Sequence, residues 1–128
     1  MNIHESAENY LETILILHNR KGYVRSIDIA TELSFSKPSV SVAMKNLRTN
    51  GYIEVDNSGH ITLTAKGLEI AEKMYERHTL LSNLLVALGV SPETAAEDAC
   101  RIEHVISVET FDALKAHAAK VGAETSAN

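Results

Sequence analysis

Apolar residues recur at helical spacing near the start of the chain. Tyr10, Ile14 and Leu17 make one stripe, which predicts a helix from Ser6 to Arg20. Ser6 can cap it, Glu8 suits its positive N-terminal end, and Lys21-Gly22 closes it. Ile29, Ala30 and Leu33 predict a short second helix, with Ser26 as cap, Asp28 in its first turn and Ser34-Phe35 as the exit turn. Ser36 can cap a third, with Pro38 in its first turn, a stripe of Val40, Met44 and Leu47, and Asn50-Gly51 as the stop. The period then falls to two. Tyr52–Val55 and His60–Leu63 alternate like strands around Asp56-Asn57-Ser58-Gly59, which is turn chemistry, so a β-hairpin is predicted. Thr64 can cap a long helix to about Leu88, stopped by Gly89. Ser91-Pro92-Glu93 opens a fifth helix, and Ser107 can cap a sixth from Val108 to about Val121. Ala123 to Asn128 reads as a small, polar, frayed tail.

Three short helices, a hairpin and a long exit helix predict a mainly α protein that begins with a winged helix-turn-helix. The expected division is 1–64 for that domain and 65–128 for a helical domain, with helix 65–88 linking them. In such a fold the third helix enters the DNA major groove. Its exposed positions include Lys37, Ser39, Ser41, Lys45 and Arg48, with no acid from Ser36 to Asn50. Lys and Arg can neutralise phosphates, and Ser can donate to phosphates or base edges. Arg25 is a further phosphate candidate, and His60 on the wing can approach the backbone. Arg, Asn and Gln, the usual base readers, are scarce here. Apolar contact from Pro38 or Val42, and DNA shape, would then carry specificity. The blander account makes these charges a solvated surface, with Ser36 and Ser39 purely structural and the domain a protein-docking module.

The net charge of −5 tells against nucleic acid until it is located. Residues 1–64 carry six Lys and Arg against seven Asp and Glu, and residues 65–128 carry six against ten, so most of the acidity lies in the second half. Cys100 is the only cysteine, which excludes an internal disulfide and suits a reducing cytoplasm. No apolar run approaches a membrane span, and Met1-Asn2-Ile3-His4-Glu5-Ser6 lacks the basic-then-apolar profile of a signal peptide.

The second half holds its own chemistry in Asp98-Ala99-Cys100-Arg101-Ile102-Glu103-His104. On a helix, residues three and four apart share a face. Cys100, Glu103 and His104 would then offer a thiolate, a carboxylate and an imidazole together. That mix suits a first-row transition metal better than calcium or magnesium. The competing account is a small buried Cys beside a solvated face. If the first, fourth and fifth helices pack together, Asn9, Glu12 and His78 can converge on the same point. Six donors can hold one octahedral ion or two bridged by a carboxylate. His18, His60 and His117 lack such company and read as surface residues.

Glu8-Asn9-Tyr10-Leu11-Glu12-Thr13-Ile14, Ser36-Lys37-Pro38-Ser39-Val40-Ser41, Leu63-Thr64-Ala65-Lys66-Gly67, Arg77-His78-Thr79-Leu80-Leu81 and Cys100-Arg101-Ile102-Glu103-His104 stand in one order along the chain. Together they resemble the diphtheria-toxin-repressor and manganese-transport-regulator family of bacterial metal-dependent repressors, over nearly all of residues 5–121. The resemblance implies a helical metal-binding and dimerisation domain after the winged helix, and a homodimer that binds operator DNA when loaded with a divalent ion. Cys100 matches a position that is cysteine in the iron branch and glutamate in the manganese branch. Glu12 matches an acidic ligand of the manganese branch, and His78 a ligand of both. Asn9 stands where the branches have methionine or aspartate. Ser82 and Ala96 replace a carboxylate and a histidine of the iron branch's second site, and the resemblance implies a two-domain member without the SH3-like third domain. A second ion would take Glu12, His78 and Glu103.

The expectation is a cytoplasmic, homodimeric repressor activated by Fe²⁺, with Mn²⁺ as the alternative and Co²⁺, Ni²⁺ or Zn²⁺ as surrogates. Leu84, Leu85, Leu88, Val105, Ile106 and Phe111 would supply the dimer surface. One alternative is a metal-independent winged-helix regulator of a small organic effector. Another is a small metal hydrolase or Cys-His thiol enzyme, against which stands the lack of a nucleophile elbow or glycine-rich phosphate loop.

Overall fold

A computed structural model describes residues 5–126, with side chains to residue 121. Residues 1–4, which open the expected DNA-binding domain and the stretch read as lacking a signal peptide, and 127–128, the end of the expected tail, lie outside the described residues. The elements are α1 (Glu5–Lys21), α2 (Ser26–Leu33), α3 (Lys37–Thr49), β1 (Ile53–Val55), β2 (Ile61–Leu63), α4 (Ala65–Ala87), α5 (Pro92–Ile102) and α6 (Val108–Ser126). The chain divides into two compact units, Met1–Met74 and Tyr75–Asn128, and the boundary falls inside α4. Among the described residues no helix is long and apolar enough to cross a membrane.

The fold is mainly α, with a winged helix in the first unit. Its core comes from the predicted stripes. Leu11, Ile14 and Leu17 of α1, Ile29 of α2 and Val40, Met44 and Leu47 of α3 are buried together with Ile53, Ile61 and Ala71. α1 packs on α2 and β2, α2 on α3, and α3 on β1. The two strands pair antiparallel, Ile53 opposite Leu63 and Val55 opposite Ile61. Val24 is fully buried, and its carbonyl accepts the Ile61 N–H at 2.7 Å, which ties the segment before α2 to the wing. At the wing tip the Asp56 carboxylate accepts the N–H groups of Ser58 and His60, at 2.8 and 2.9 Å. These bonds hold the Asp56 carboxyl below the usual carboxylate range, that from His60 most of all.

The helix starts follow capping chemistry. Ser36 Oγ accepts the Ser39 N–H, Thr64 Oγ1 that of Gly67, Ser91 Oγ that of Thr94 and Ser107 Oγ that of Thr110. Two starts differ from expectation. α1 begins at Glu5, so Ser6 is already helical. α2 begins with Ser26 itself, and the Asp28 carboxylate accepts the Arg25 N–H at 2.9 Å from inside the first turn. Lys21 Nζ donates to the other Asp28 oxygen at 2.6 Å and lowers its pKa, reinforced by the Arg25 bond.

The second unit comprises the rest of α4, then α5 and α6. Leu81, Ala95, Ala99 and Phe111 are buried in it, together with Arg77 and Glu103. Phe111 is 5% exposed and lies under the Arg77 guanidinium, so it leaves the expected dimer surface. Leu88 at 80% and Val105 at 72% exposure remain available for one. The expected frayed tail is corrected as well: α6 continues to Ser126, because the helix-forming Ala116, Ala118 and Ala119 outweigh the polar residues nearer the chain end.

Candidate metal centre and nucleic-acid interface

In the second unit one ligand atom each from Cys100, Glu103 and His104 lie within 4.8 Å of one another. The three are not on one helix as expected. Cys100 is in the last turn of α5, while Glu103 caps its end and His104 comes next, in the turn to α6. The Glu103 side chain is fully buried. Its Oε2 meets His78 Nδ1 of α4 at 3.0 Å, and its Oε1 faces His104 Nε2 at 3.4 Å without a hydrogen bond. The hydrogen bond to Glu103 raises the His78 pKa, against the opposing effect of burial.

This donor set fits a transition-metal ion. A fully buried carboxylate needs a compensating charge. No Lys or Arg hydrogen-bonds the Glu103 carboxylate among the described residues, and its close partner there is the His78 imidazole. Metal ions compete with protons for such donors. A thiolate, a carboxylate and imidazoles suit Fe²⁺, Mn²⁺, Co²⁺ or Zn²⁺ rather than Ca²⁺. Of the expected ligands, the structure brings together Cys100, Glu103, His104 and His78. Asn9 and Glu12 stand on α1 in the first unit, Asn9 half-buried and Glu12 4% exposed.

Sequence reasoning overlooked Arg77, which it treated only as a neighbour of His78. Its side chain is buried, and Nη1 donates to the carbonyls of Glu103 at 2.9 Å and Ile106 at 3.1 Å. A charged residue on the buried stripe with Met74 and Leu81 was the available signal.

In the first unit, α3 exposes Lys37, Pro38, Ser39, Ser41, Val42, Lys45 and Arg48. Val42 is 61% exposed, far more than an apolar residue needs to be on a packed helix. Ser36 and Ser39 are engaged with each other, Oγ to Oγ at 2.8 Å, so the cap fixes the hydroxyls at the N-terminus of the helix. Ser41, Lys45 and Arg48 line an open pocket with Ser26, Met44 and Val55, about 210 Å³ in volume. Arg25 and His60 line another beneath the wing, with Tyr23, Ile27 and Asp28. Arg20 and Lys21 are taken up by Glu32 and Asp28, whereas among the described residues no acid pairs with Lys37, Lys45 or Arg48.

Comparison with known proteins bears on both sites. Residues 2–61 match the model of the N-terminal DNA-binding domain of iron-dependent repressors, and residues 64–122 match their metal-binding and dimerisation domain. The transcriptional regulator MntR of Escherichia coli O6:H1 is 40% identical over 120 residues, covering 94% of this chain and 77% of that one. A solved manganese-dependent transcriptional repressor in complex with manganese is 26% identical, with a TM-score of 0.79 over 87% of this chain and 51% of that one. The structure of IdeR from T. acidophilum is 28% identical, with a TM-score of 0.71 over 89% of this chain and 53% of that one. The chain thus spans about half the length of these two solved proteins.

Proposed function

The chain belongs to the iron-dependent repressor family of metal-dependent transcriptional regulators, and from that premise we propose a homodimeric repressor that binds operator DNA when loaded with Mn²⁺ or Fe²⁺. The family consists of DNA-binding regulators, not enzymes. The domain division is proposed at Thr64 and Ala65, with α4 common to both halves. The observation that carries the metal reading is the convergence of Cys100, Glu103 and His104 on one point, with His78 on the same carboxylate.

We assign the ligand set to Cys100, Glu103, His104 and His78, joined by Glu12 and Asn9 from α1. A bound ion would supply a compact positive charge that draws carboxylate, thiolate and imidazole donors together. Cys100 must lose its thiol proton to ligate, and His78 must present an unprotonated ring nitrogen. α1 packs on α2, and α2 on α3, so fixing Glu12 bears on the helix that reads DNA. On α3, Lys37, Lys45 and Arg48 would meet phosphates, with Arg25 beside them. Ser41, Pro38 and Val42 would face the bases, and the Ser36 and Ser39 hydroxyls the backbone. Two copies present two such helices to successive major grooves, roughly 34 Å apart. Such a regulator works beside the chromosome in the cytoplasm, a compartment that keeps Cys100 reduced.

The two metals are favoured by different observations. The likeness to a manganese-dependent repressor supports Mn²⁺. The thiol of Cys100 supports the softer Fe²⁺. The test is DNA binding measured anaerobically across buffered Mn²⁺, Fe²⁺, Co²⁺ and Zn²⁺, on genomic fragments enriched by the metal-loaded protein. Binding should require metal, and Glu12→Ala should need more of it. Equal binding with and without metal would remove the metal-dependent reading. Equal binding by Glu12→Ala at limiting metal would remove Glu12 from the ligand set.

A further inference from the structure

We infer that Arg77 is a positioning residue of the metal centre: it fixes the main chain of the turn that carries Glu103 and His104. The inference rests on the proposed metal site and names what holds that site in shape before an ion arrives.

α5 ends at Ile102, and carbonyls at a helix end lack intrahelical donors. Within this turn the Glu103 N–H donates to the Ala99 carbonyl, and the Val105 and Ile106 N–H groups to that of Ile102. The carbonyls of Glu103 and Ile106, at the two ends of the turn, both accept from Arg77 Nη1, at 2.9 and 3.1 Å. The guanidinium lies over the Phe111 ring of α6, 5.3 Å from its centroid. One side chain of α4 therefore touches the turn at both ends and the helix after it. The next residue, His78, meets the side chain of the same Glu103. Main chain and carboxylate of one ligand are thus held by neighbouring residues of one helix.

The chemistry argues against mere filling. Arg77 is 5% exposed, and among the described residues its Nε has no hydrogen-bond partner and no carboxylate pairs with it. A buried guanidinium with an unmet donor is unfavourable unless the bonds it does make are needed. A methionine would fill the volume without that cost. Both bonds come from one nitrogen, Nη1, whose two N–H donors are fixed in the guanidinium plane, and a freely rotating lysine ammonium on a shorter stem does not hold that pair of directions. Groups beyond the ligands that orient them typically govern metal affinity by about ten- to a hundredfold.

The probe is Co²⁺, titrated anaerobically into the full chain and read by its ligand-field and thiolate charge-transfer bands. Parent, Arg77→Lys, Phe111→Leu and Leu81→Ala are compared, each with a metal-free urea denaturation curve. Leu81→Ala leaves a cavity in the same buried stripe and removes no hydrogen bond to the turn, so it reports what lost stability alone does. Arg77→Lys should weaken Co²⁺ binding by about ten- to a hundredfold and alter the bands, while Leu81→Ala leaves the bands as in the parent. If Arg77→Lys does not fold, Phe111→Leu, which loosens the guanidinium but leaves its bonds, should show a smaller change of the same kind. Parental bands and affinity in the Arg77 variant, or a loss no larger than that of Leu81→Ala, would overturn the inference. An absence of Co²⁺ bands in the parent would instead strike the metal site itself.

Discussion

Replacing Gly67 by alanine should destabilise the first unit, although the same change within a helix ordinarily stabilises it. Gly67 lies in the first turn of α4, where its N–H donates to Thr64 Oγ1 at 3.2 Å. A Cβ built there would stand 2.0 Å from the Tyr52 carbonyl oxygen and 3.0 Å from its carbon. A carbon tolerates such an oxygen at about 3.3 Å, so the backbones must part by about 1.3 Å. That opening breaks the bond from the Thr64 N–H to the same Tyr52 carbonyl, now 3.1 Å, and loosens Thr64 Oγ1 from the Gly51 carbonyl, now 2.7 Å. Two lost bonds come to about 2 kcal/mol, and overpacking against backbone adds about 1–3. Better helix propensity returns about 1 kcal/mol. The net expectation is a loss of about 2–4 kcal/mol, seen as a lower urea midpoint by far-ultraviolet circular dichroism at unchanged slope. A midpoint equal to or above that of the parent would show that the wing and the start of α4 are not locked as described.

Lys45→Ala and Arg48→Ala should each reduce the steepness of DNA binding against salt by about one phosphate contact and leave metal binding intact; unchanged slopes in both would misplace the reading helix. Cys100→Glu should shift activation from Fe²⁺ towards Mn²⁺ and abolish the thiolate-to-Co²⁺ band. An unaltered metal ranking, with no such band in the parent, would discharge Cys100 as a ligand. Asp28 is held below its ordinary pKa by Lys21, so its contribution is present above about pH 4 and is lost as pH falls through its folded value. Asp28→Asn should therefore cost stability at neutral pH and flatten the acid limb of a urea midpoint series. A parallel acid limb in variant and parent would contradict this.

The helices and the hairpin were legible because period and cap agree: Ser36, Thr64, Ser91 and Ser107 sit where apolar stripes begin, and each accepts the expected N–H. At α2 two capping residues compete within three positions, and the sequence does not tell that Asp28 rather than Ser26 meets the open donor. The candidate metal cluster was legible for an imperfect reason. Helical spacing singled out Cys100, Glu103 and His104, yet α5 stops at Ile102 with no glycine or proline to announce it. The carbonyls at that stop are met by Arg77, 26 residues earlier in the chain, and such a bond has no local signature. Gly67 was visible as part of a motif, but its need for a bare Cα comes from Tyr52, across the wing. Phe111 looked like surface for a partner, because nothing nearby in sequence foretells a guanidinium above its ring.

The end of α5 at Ile102 separates two kinds of heritable change. Position 100 belongs to a regular helix whose backbone is indifferent to what side chain it bears, so a thiol can give way to a carboxylate without redrawing the loop beside it. Positions 103 and 104 belong to a tethered turn, where a substitution disturbs the shape as well as the donor. Under the proposed ligand set, metal preference would therefore be adjustable at position 100 alone, whereas a change at 103 or 104 would alter the shape of the centre together with its donors.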